Sequence, residues 1–380
     1  MRIYLCLLLF LSALFCGTAL SAKEAPRLLL PDEFYAYPGL ETNVYFSNVF
    51  KTLDPSRYFF LVKCPKGKLM QKFWTFTPQA QDTGVYDWTL EVYDDNGKVA
   101  GKTIKLKVLS AARKPDGNSI LLIGDSLTDQ SHHVRRLKQI APGLNMIGSN
   151  GGLGKKPSET GIAHEGYGGW TWANFANSGK PFIPKRLSYR SNKFVIEKNG
   201  QWVHSFDAFF QKYGNGKKPQ FVVIQLGGND IFSRNDQNID ETLQSIGRSM
   251  EKLIGEIRKS VPDAFIGIGL VPPAAGQDAW GKGYGCSVNS YQFNKNRWKL
   301  NFFYMTRVAE MARTDTKISI IPTFLGMDPE TAFPISSFRP NSHTPGKVLR
   351  QSNALHPNAS GGAQMGDIYY CWLVRCLSGK

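Results

Sequence analysis

Four short, continuously apolar segments constrain the fold of this chain more than any other feature of its sequence. They lie at residues 119–123, 221–226, 264–270 and 318–321. Runs of this length are typical of strands buried on both faces of a parallel sheet. Between them, apolar residues recur every three or four positions from Glu241 to Val261, and residues 294–313 and 359–373 also have helical patterns. This alternation predicts a three-layer α/β/α sandwich, with the chemistry at the carboxyl ends of its parallel strands.

The region before these segments has a different pattern. Strands rich in β-branched and aromatic residues are predicted at 42–46, 58–62, 85–93 and 103–108, and Asp94-Asp95-Asn96-Gly97 predicts a hairpin turn between the last two. The region resembles the small immunoglobulin-like β-sandwiches that exported bacterial enzymes carry ahead of a catalytic domain. A polar stretch with Pro and Gly at 110–118 predicts a linker. We therefore expect an all-β accessory domain at 23–112 and an α/β domain at 113–380.

The first 22 residues have the layout of a secretory signal peptide, with Arg2 before an apolar run that ends in small residues. Cleavage after Ser21 or Ala22 would start the mature chain near Lys23. Cys16 allows a lipid anchor as a less favoured alternative, because the residues before it match the usual small-residue box poorly. No later segment has the ~20 apolar residues of a membrane span. These features predict a secreted or periplasmic protein.

The formal net charge is +16, but the Lys and Arg residues are scattered rather than grouped in a stripe. This distribution argues against nucleic acid as a partner. It leaves two interpretations, a preference for acidic polymers such as uronate-bearing glycans or a merely soluble basic surface. The cysteines expected in the mature chain show no metal-site spacing, so buried thiols or one incidental disulfide are expected among Cys64, Cys286, Cys371 and Cys376.

The segment Gly124-Asp125-Ser126-Leu127 follows the first apolar run directly. Ser126 is therefore predicted in a turn at the carboxyl end of a strand, and Asp129 is predicted to open a helix. Free backbone N–H groups near a helix N-terminus favour developing negative charge. A serine hydroxyl at this place is a candidate nucleophile.

Three further blocks follow in order, Gly166-Tyr167-Gly168-Gly169-Trp170-Thr171, Leu226-Gly227-Gly228-Asn229-Asp230 and Leu355-His356-Pro357-Asn358. Together with the first block they resemble the GDSL/SGNH hydrolase family over roughly residues 119–377. The resemblance implies a flavodoxin-like sheet and an esterase without a cofactor. It implies that Ser126 attacks the acyl carbon, that His356 is the general base, and that Ser126, Gly169 and Asn229 form an oxyanion hole. Gly168 is a nearby alternative to Gly169.

The sequence departs from the family pattern at one position. Members commonly place an aspartate three residues before the histidine, and Asn353 stands there. An amide oxygen can accept the imidazole N–H but carries no charge to stabilise imidazolium. Three outcomes are open: Asn353 orients His356, a backbone carbonyl or distant carboxylate does so, or catalysis is impaired.

Other residues near these blocks allow two interpretations. His132 and His133 are expected on a solvated helix surface, whereas His164 could line the site. Trp170 and Trp172 could equally be core residues or sugar-stacking platforms. An Asn-Gly hairpin within 182–203 and a long irregular stretch at 327–353 are predicted walls of a binding site. No cluster has metal-ligand spacing, so no metal or other cofactor is expected.

These features favour an esterase that removes short acyl groups, foremost acetyl, from a small acyl ester or an acylated glycan. A lipase or lysophospholipase with the same mechanism is the second hypothesis. A catalytically silent glycan-binding protein is the third, because the Asn353 departure keeps it open.

Overall fold

The computed structural model describes residues 27–378. The predicted signal peptide, residues 1–22, lies outside the described residues, as does the possible anchor at Cys16. The predicted domain boundaries at 22/23 and 112/113 remain predictions.

The N-terminal region is all-β, apart from short helical turns. Its strands are β1 (Glu33–Ala36), β2 (Thr42–Tyr45), β3 (Phe59–Lys63), β4 (Lys68–Leu69), β5 (Phe73–Phe76), β6 (Gly84–Asp94) and β7 (Gly97–Val108), and a four-residue helix α1 (Phe46–Val49) follows β2. They form two sheets, ordered β1-β7-β6-β3 and β2-β5-β4. Phe34, Trp74 and Trp88 meet edge to face between the sheets and are buried. The predicted hairpin between β6 and β7 is confirmed.

A parallel sheet forms the centre of the second region. Its strands are β8 (Ser119–Gly124), β9 (Asn145–Ile147), β10 (Glu165–Gly166), β13 (Phe221–Gln225), β14 (Phe265–Gly269) and β15 (Ile318–Ile321). All four predicted apolar strands are confirmed. β9 pairs with the first half of β8 and β10 with its second half, on the side opposite β13, so the order is β9/β10, β8, β13, β14, β15. The order reverses between β8 and β13, and ligands of open α/β sheets bind at such switch points.

Helices cover both faces of this sheet. They are α2 (Ser126–Asp129), α3 (His132–Ile140), α4 (Pro157–Thr160), α5 (Trp172–Ala176), α6 (Phe206–Tyr213), α7 (Gly228–Ile231), α8 (Ile239–Ser260), α9 (Gln277–Tyr284), α10 (Ser290–Met311) and α11 (Ala359–Leu377). α3 and α11 pack on each other, whereas α8 contacts α5, α6 and α10. The three predicted helices correspond to α8, α10 and α11, so the three-layer α/β/α prediction is confirmed.

The all-β region packs directly against the α/β region. The buried Asn48 side chain donates hydrogen bonds to the carbonyl oxygens of Phe324 and Met327, and the rings of Tyr37 and Tyr370 meet edge to face. One continuous hydrophobic core runs through both regions. The connection at 110–118 therefore joins parts that share a packed interface.

Two local predictions were wrong. Residues 327–353 were expected to be irregular, but they contain an antiparallel hairpin of β16 (Ile335–Phe338) and β17 (Val348–Gln351). Asp129 was expected to open a helix, but it ends α2, and the next helix begins at His132. The Asn-Gly hairpin is confirmed as β11 (Val195–Lys198) and β12 (Gln201–His204). The four described cysteines are free thiols, with Cys371 and Cys376 buried.

Candidate active site

Ser126 and His356 meet at the carboxyl end of the central strand. β8 ends at Gly124, and the Asp125 carboxylate accepts a hydrogen bond from the Leu127 N–H at 2.9 Å, which caps the first turn of α2. Ser126 is the first residue of that turn. Its Oγ lies 2.9 Å from Nε2 of His356, which is 230 residues away in the chain and just precedes α11. The pair has the geometry for proton transfer from the hydroxyl to the imidazole.

The imidazole of His356 lacks a carboxylate partner among the described residues. Burial lowers the pKa of His356 from its ordinary value, and no charged group contributes to that shift. Its second ring nitrogen makes no hydrogen bond with any residue from 27 to 378. A lowered pKa keeps the ring neutral at pH 7, which is the form that can accept a proton.

Asn353 contacts the backbone of this turn. Its Oδ1 accepts hydrogen bonds from the N–H groups of His356 at 2.9 Å and of Leu355 at 3.2 Å. An Asx turn of this kind fixes the backbone course through the two residues that it caps. Asn353 therefore holds the chain that carries the imidazole, while the ring itself is bonded to Ser126.

The second and third sequence blocks come together beside Ser126. Gly169 has a φ of +82°, a left-handed conformation that favours glycine. The N–H groups of Ser126 and Gly169 have no backbone or side-chain acceptor within the described part of the chain, whereas the Gly168 N–H donates to Asp129 at 3.2 Å. Only Gly169 of the two glycines thus offers a free backbone donor.

Asn229 lies in α7, directly after β13. Its Nδ2 donates to the carbonyl oxygen of Trp170 at 2.9 Å, which ties the Asn229 loop to the glycine segment. An amide nitrogen carries two hydrogens, so one remains for a ligand. Asp230 reinforces the same connection by accepting hydrogen bonds from the Trp172 N–H at 3.3 and 3.4 Å.

Two buried carboxyl groups lie beneath this site with raised pKa values. Burial raises the pKa of Asp125 to about 7 and that of Asp230 to about 6, and the proximity of Asp230 contributes to the shift of Asp125. Each accepts a backbone N–H from the site's own loops. Both therefore brace the loops of the site.

Asp129 is a site residue that the sequence reasoning missed. Its buried carboxylate accepts hydrogen bonds from the Gly168 N–H, the Leu153 N–H, the Asn150 side chain and the Tyr189 hydroxyl, at 3.0 to 3.2 Å. It thereby joins the serine turn to the glycine segment and to residue 189. The signal in the sequence was an acidic residue three positions after Ser126, but we interpreted that residue as the start of a helix.

Most of the histidine and tryptophan side chains near these blocks are buried in the core. The prediction of a solvated His133 was wrong, because its side chain is buried against Tyr369, while His132 is half-buried. His164 is fully buried and bonds Ser131 at 2.9 Å, so it does not face a cleft. Trp172 is a core residue whose Nε1 donates to Tyr304 at 2.6 Å.

Trp170 faces a cleft of about 510 Å³ beside Gly169, a size that suits a small ligand. Residues 179–192 supply much of its wall, which includes only the first part of the predicted segment 182–203, and the Asn-Gly hairpin itself does not line this cleft. The second predicted segment, 327–353, contributes nothing to this cleft. Its Gln351 instead accepts a hydrogen bond from the Gly276 N–H at 2.6 Å.

No cluster of three His, Cys, Asp or Glu residues that could hold a metal occurs between residues 27 and 378. Within the same range, no helix is both long and apolar enough to cross a membrane.

This fold and site define a serine-type ester hydrolase with a three-layer α/β/α core, whose serine lies in a turn at the carboxyl end of a central strand. Residues 120–368 match the family model described as GDSL-like Lipase/Acylhydrolase, and the chain belongs to that family. It is an enzyme that hydrolyses carboxylic ester bonds. A search of curated proteins gives no match.

Solved structures with a similar fold include esterases. A carbohydrate esterase family 3 protein from Talaromyces cellulolyticus is 15% identical with a TM-score of 0.39, over 69% of this chain and 99% of that chain. A family 3 carbohydrate esterase from Clostridium thermocellum is 16% identical with a TM-score of 0.41, over 69% and 99%. A possible lipase from Chitinophaga pinensis is 17% identical with a TM-score of 0.42, over 69% and 100%.

Proposed function

We propose that this protein is an exported serine esterase that removes short acyl groups, foremost acetyl, from carbohydrate. The main support for this proposal is the 2.9 Å contact between Ser126 Oγ and His356 Nε2. It brings an imidazole that can act as a base to a serine hydroxyl at the switch point of the sheet. Export follows from the layout of residues 1–22.

In the proposed reaction, Ser126 Oγ bonds to the acyl carbon while its proton passes to His356 Nε2. The carbonyl oxygen becomes an oxyanion, which the N–H groups of Ser126 and Gly169 and the Asn229 amide stabilise. The intermediate collapses when His356 returns the proton to the departing alcohol oxygen. Water then attacks the acyl-serine with His356 as base, which releases the acid and restores the hydroxyl.

Within the described residues no carboxylate lies beside His356, and this affects the proposed mechanism. The imidazolium formed in each step is stabilised by its bond to the departing or attacking oxygen, without a buried counter-ion. Asn353 contributes by holding the turn of the histidine. This arrangement supports a serine–histidine pair rather than a charged triad.

Hydrolysis of p-nitrophenyl acetate tests the activity, and a series to butyrate and octanoate tests the acyl group. We expect the acetate ester to have the highest kcat/KM, with acetate released from an acetylated oligosaccharide. A preference for octanoate would favour the lipase alternative. No turnover of any ester would favour the glycan-binding alternative.

A further inference from the structure

A groove leads away from the candidate oxyanion glycine along the segment that precedes and includes α6. The cleft beside Gly169 adjoins a second cavity of about 320 Å³, and both are lined by Lys180, Pro181 and Asn192. We call the two cavities together the basic groove. It extends from Gly169 to Lys212 at the end of α6.

All of the charged side chains that line the basic groove are positive. Its cations are Lys180, Arg190, Lys193 and Lys212, and neither cavity has an Asp or Glu in its wall. The sequence shows the same bias, because residues 166–196 contain five Lys or Arg and no Asp or Glu. A cleft lined by one sign of charge concentrates ligands of the opposite sign.

Two buried carboxylates that interact with cations of the groove are already engaged by other groups. Asp129 is buried and lies 3.6 Å from the Arg190 guanidinium, so it offsets part of that charge. Glu165 is buried, accepts hydrogen bonds from Ser149 and Tyr167, and interacts electrostatically with Lys193. Lys180 and Lys212 remain exposed, and neither forms an ion pair with any residue in the described range.

Aromatic rings and amides complete the lining. Trp170 and Trp202 are half-buried, each in one of the two cavities, and Tyr213 stands beside Lys212, whose ammonium lies 5.2 Å from the ring centre. Asn174 and Asn177 are exposed in the wall of the first cavity. Flat apolar faces beside amide donors and acceptors suit sugar rings, which have both apolar C–H faces and hydroxyl edges.

We propose that the basic groove binds an acidic glycan chain, so that the ester removed at Ser126 is carried by a polysaccharide containing uronate carboxylates. The aromatic faces pack against sugar rings, and the lysines pair with carboxylates along the chain. The assignment of this chain as substrate rests on the proposed esterase function, whereas its binding in the groove does not. The two can therefore be tested separately.

The binding test uses calorimetry at low salt with tetragalacturonate and with the same tetrasaccharide after reduction of its carboxyl groups to alcohols. We expect wild type to bind the acidic form at least 10-fold more tightly, with the difference shrinking as salt is added. Lys180→Gln combined with Lys212→Gln should weaken binding of the acidic form about 2- to 30-fold, as the loss of two exposed charge contacts would. The matched control is Lys185→Gln with Lys198→Gln, two exposed lysines outside both cavities.

Selective binding of tetragalacturonate that the groove pair weakens and the control pair retains supports the proposal. Equal binding of the acidic and reduced sugars overturns it, and so does an equal loss in both double variants. Adsorption to phosphatidylglycerol vesicles without binding of tetragalacturonate also overturns it and assigns the groove to a membrane surface. Hydrolysis of p-nitrophenyl acetate is measured in parallel. A protein that binds the glycan without cleaving the ester would contradict the proposed esterase function but not the proposed glycan binding in the basic groove.

Discussion

Replacing Asn353 by alanine tests how His356 is held. In the structure the Asn353 oxygen accepts two backbone hydrogen bonds, at 2.9 and 3.2 Å, and none from the imidazole. Each is worth about 0.5–1.5 kcal/mol, so the turn loses about 1–3 kcal/mol of stabilisation. If that loss falls wholly on the placement of the imidazole, kcat/KM decreases about 5- to 150-fold. A residue that held the ring tautomer directly would cost up to about 10⁴-fold.

The assay is kcat/KM for p-nitrophenyl acetate, with Asn353→Asp as the conservative variant. Aspartate retains the acceptor for both N–H groups, so activity should be retained, and its added charge should raise the pKa of His356. The matched control is Asn341→Ala. Asn341 caps the N–H groups of His343 and Thr344 in the same way on an exposed loop, and its loss should leave kcat/KM within twofold. If Asn353→Ala had the kcat/KM of wild type, or a kcat/KM more than 10³-fold lower, the proposed role of Asn353 in holding the His356 backbone would be refuted.

Three other predictions concern the site. Asn229→Ala should lower kcat about 10²- to 10³-fold with little change in KM, and a change confined to KM would assign Asn229 to substrate binding. Because burial lowers the pKa of His356, kcat/KM should increase with pH and reach half of its plateau value at a pH below 6.5. A midpoint above pH 7 would contradict the assignment of His356 as a neutral, buried base. Asp129→Ala should lower the free energy of unfolding in urea by about 2–4 kcal/mol, because its buried donors lose their acceptor, whereas the exposed Asp207→Ala should change it by less than about 0.5 kcal/mol.

The sheet was predictable because its four main strands are buried on both faces and therefore read as uninterrupted apolar runs. β9 and β10 were missed because these strands, of three and two residues, are too short to show an alternating pattern of apolar and polar residues. The hairpin of β16 and β17 was missed because its strands are largely exposed and carry no apolar run. Such strands depend on turn geometry and neighbours more than on composition.

Parts of the site were predictable because the Ser126 and Asn229 blocks each follow a strand of the parallel sheet, and such strands end at the same edge. The position of a block after a strand does not determine where its side chains point. The Asn353 side chain turns to the backbone of His356, and His133 turns into the core against Tyr369. These orientations are set by tertiary packing, which a linear pattern does not contain.

The central claim is that Ser126, activated by His356, is the nucleophile of an esterase. The most direct measurement is reaction with a fluorophosphonate, followed by intact mass and peptide mapping, with p-nitrophenyl acetate turnover followed alongside. We expect one label per chain, on Ser126, with turnover lost in proportion to labelling. Ser126→Ala should take up no label and have no activity, His356→Ala should label slowly, and the exposed Ser188→Ala should match wild type. Labelling at another residue, or appreciable turnover by Ser126→Ala, would contradict the claim.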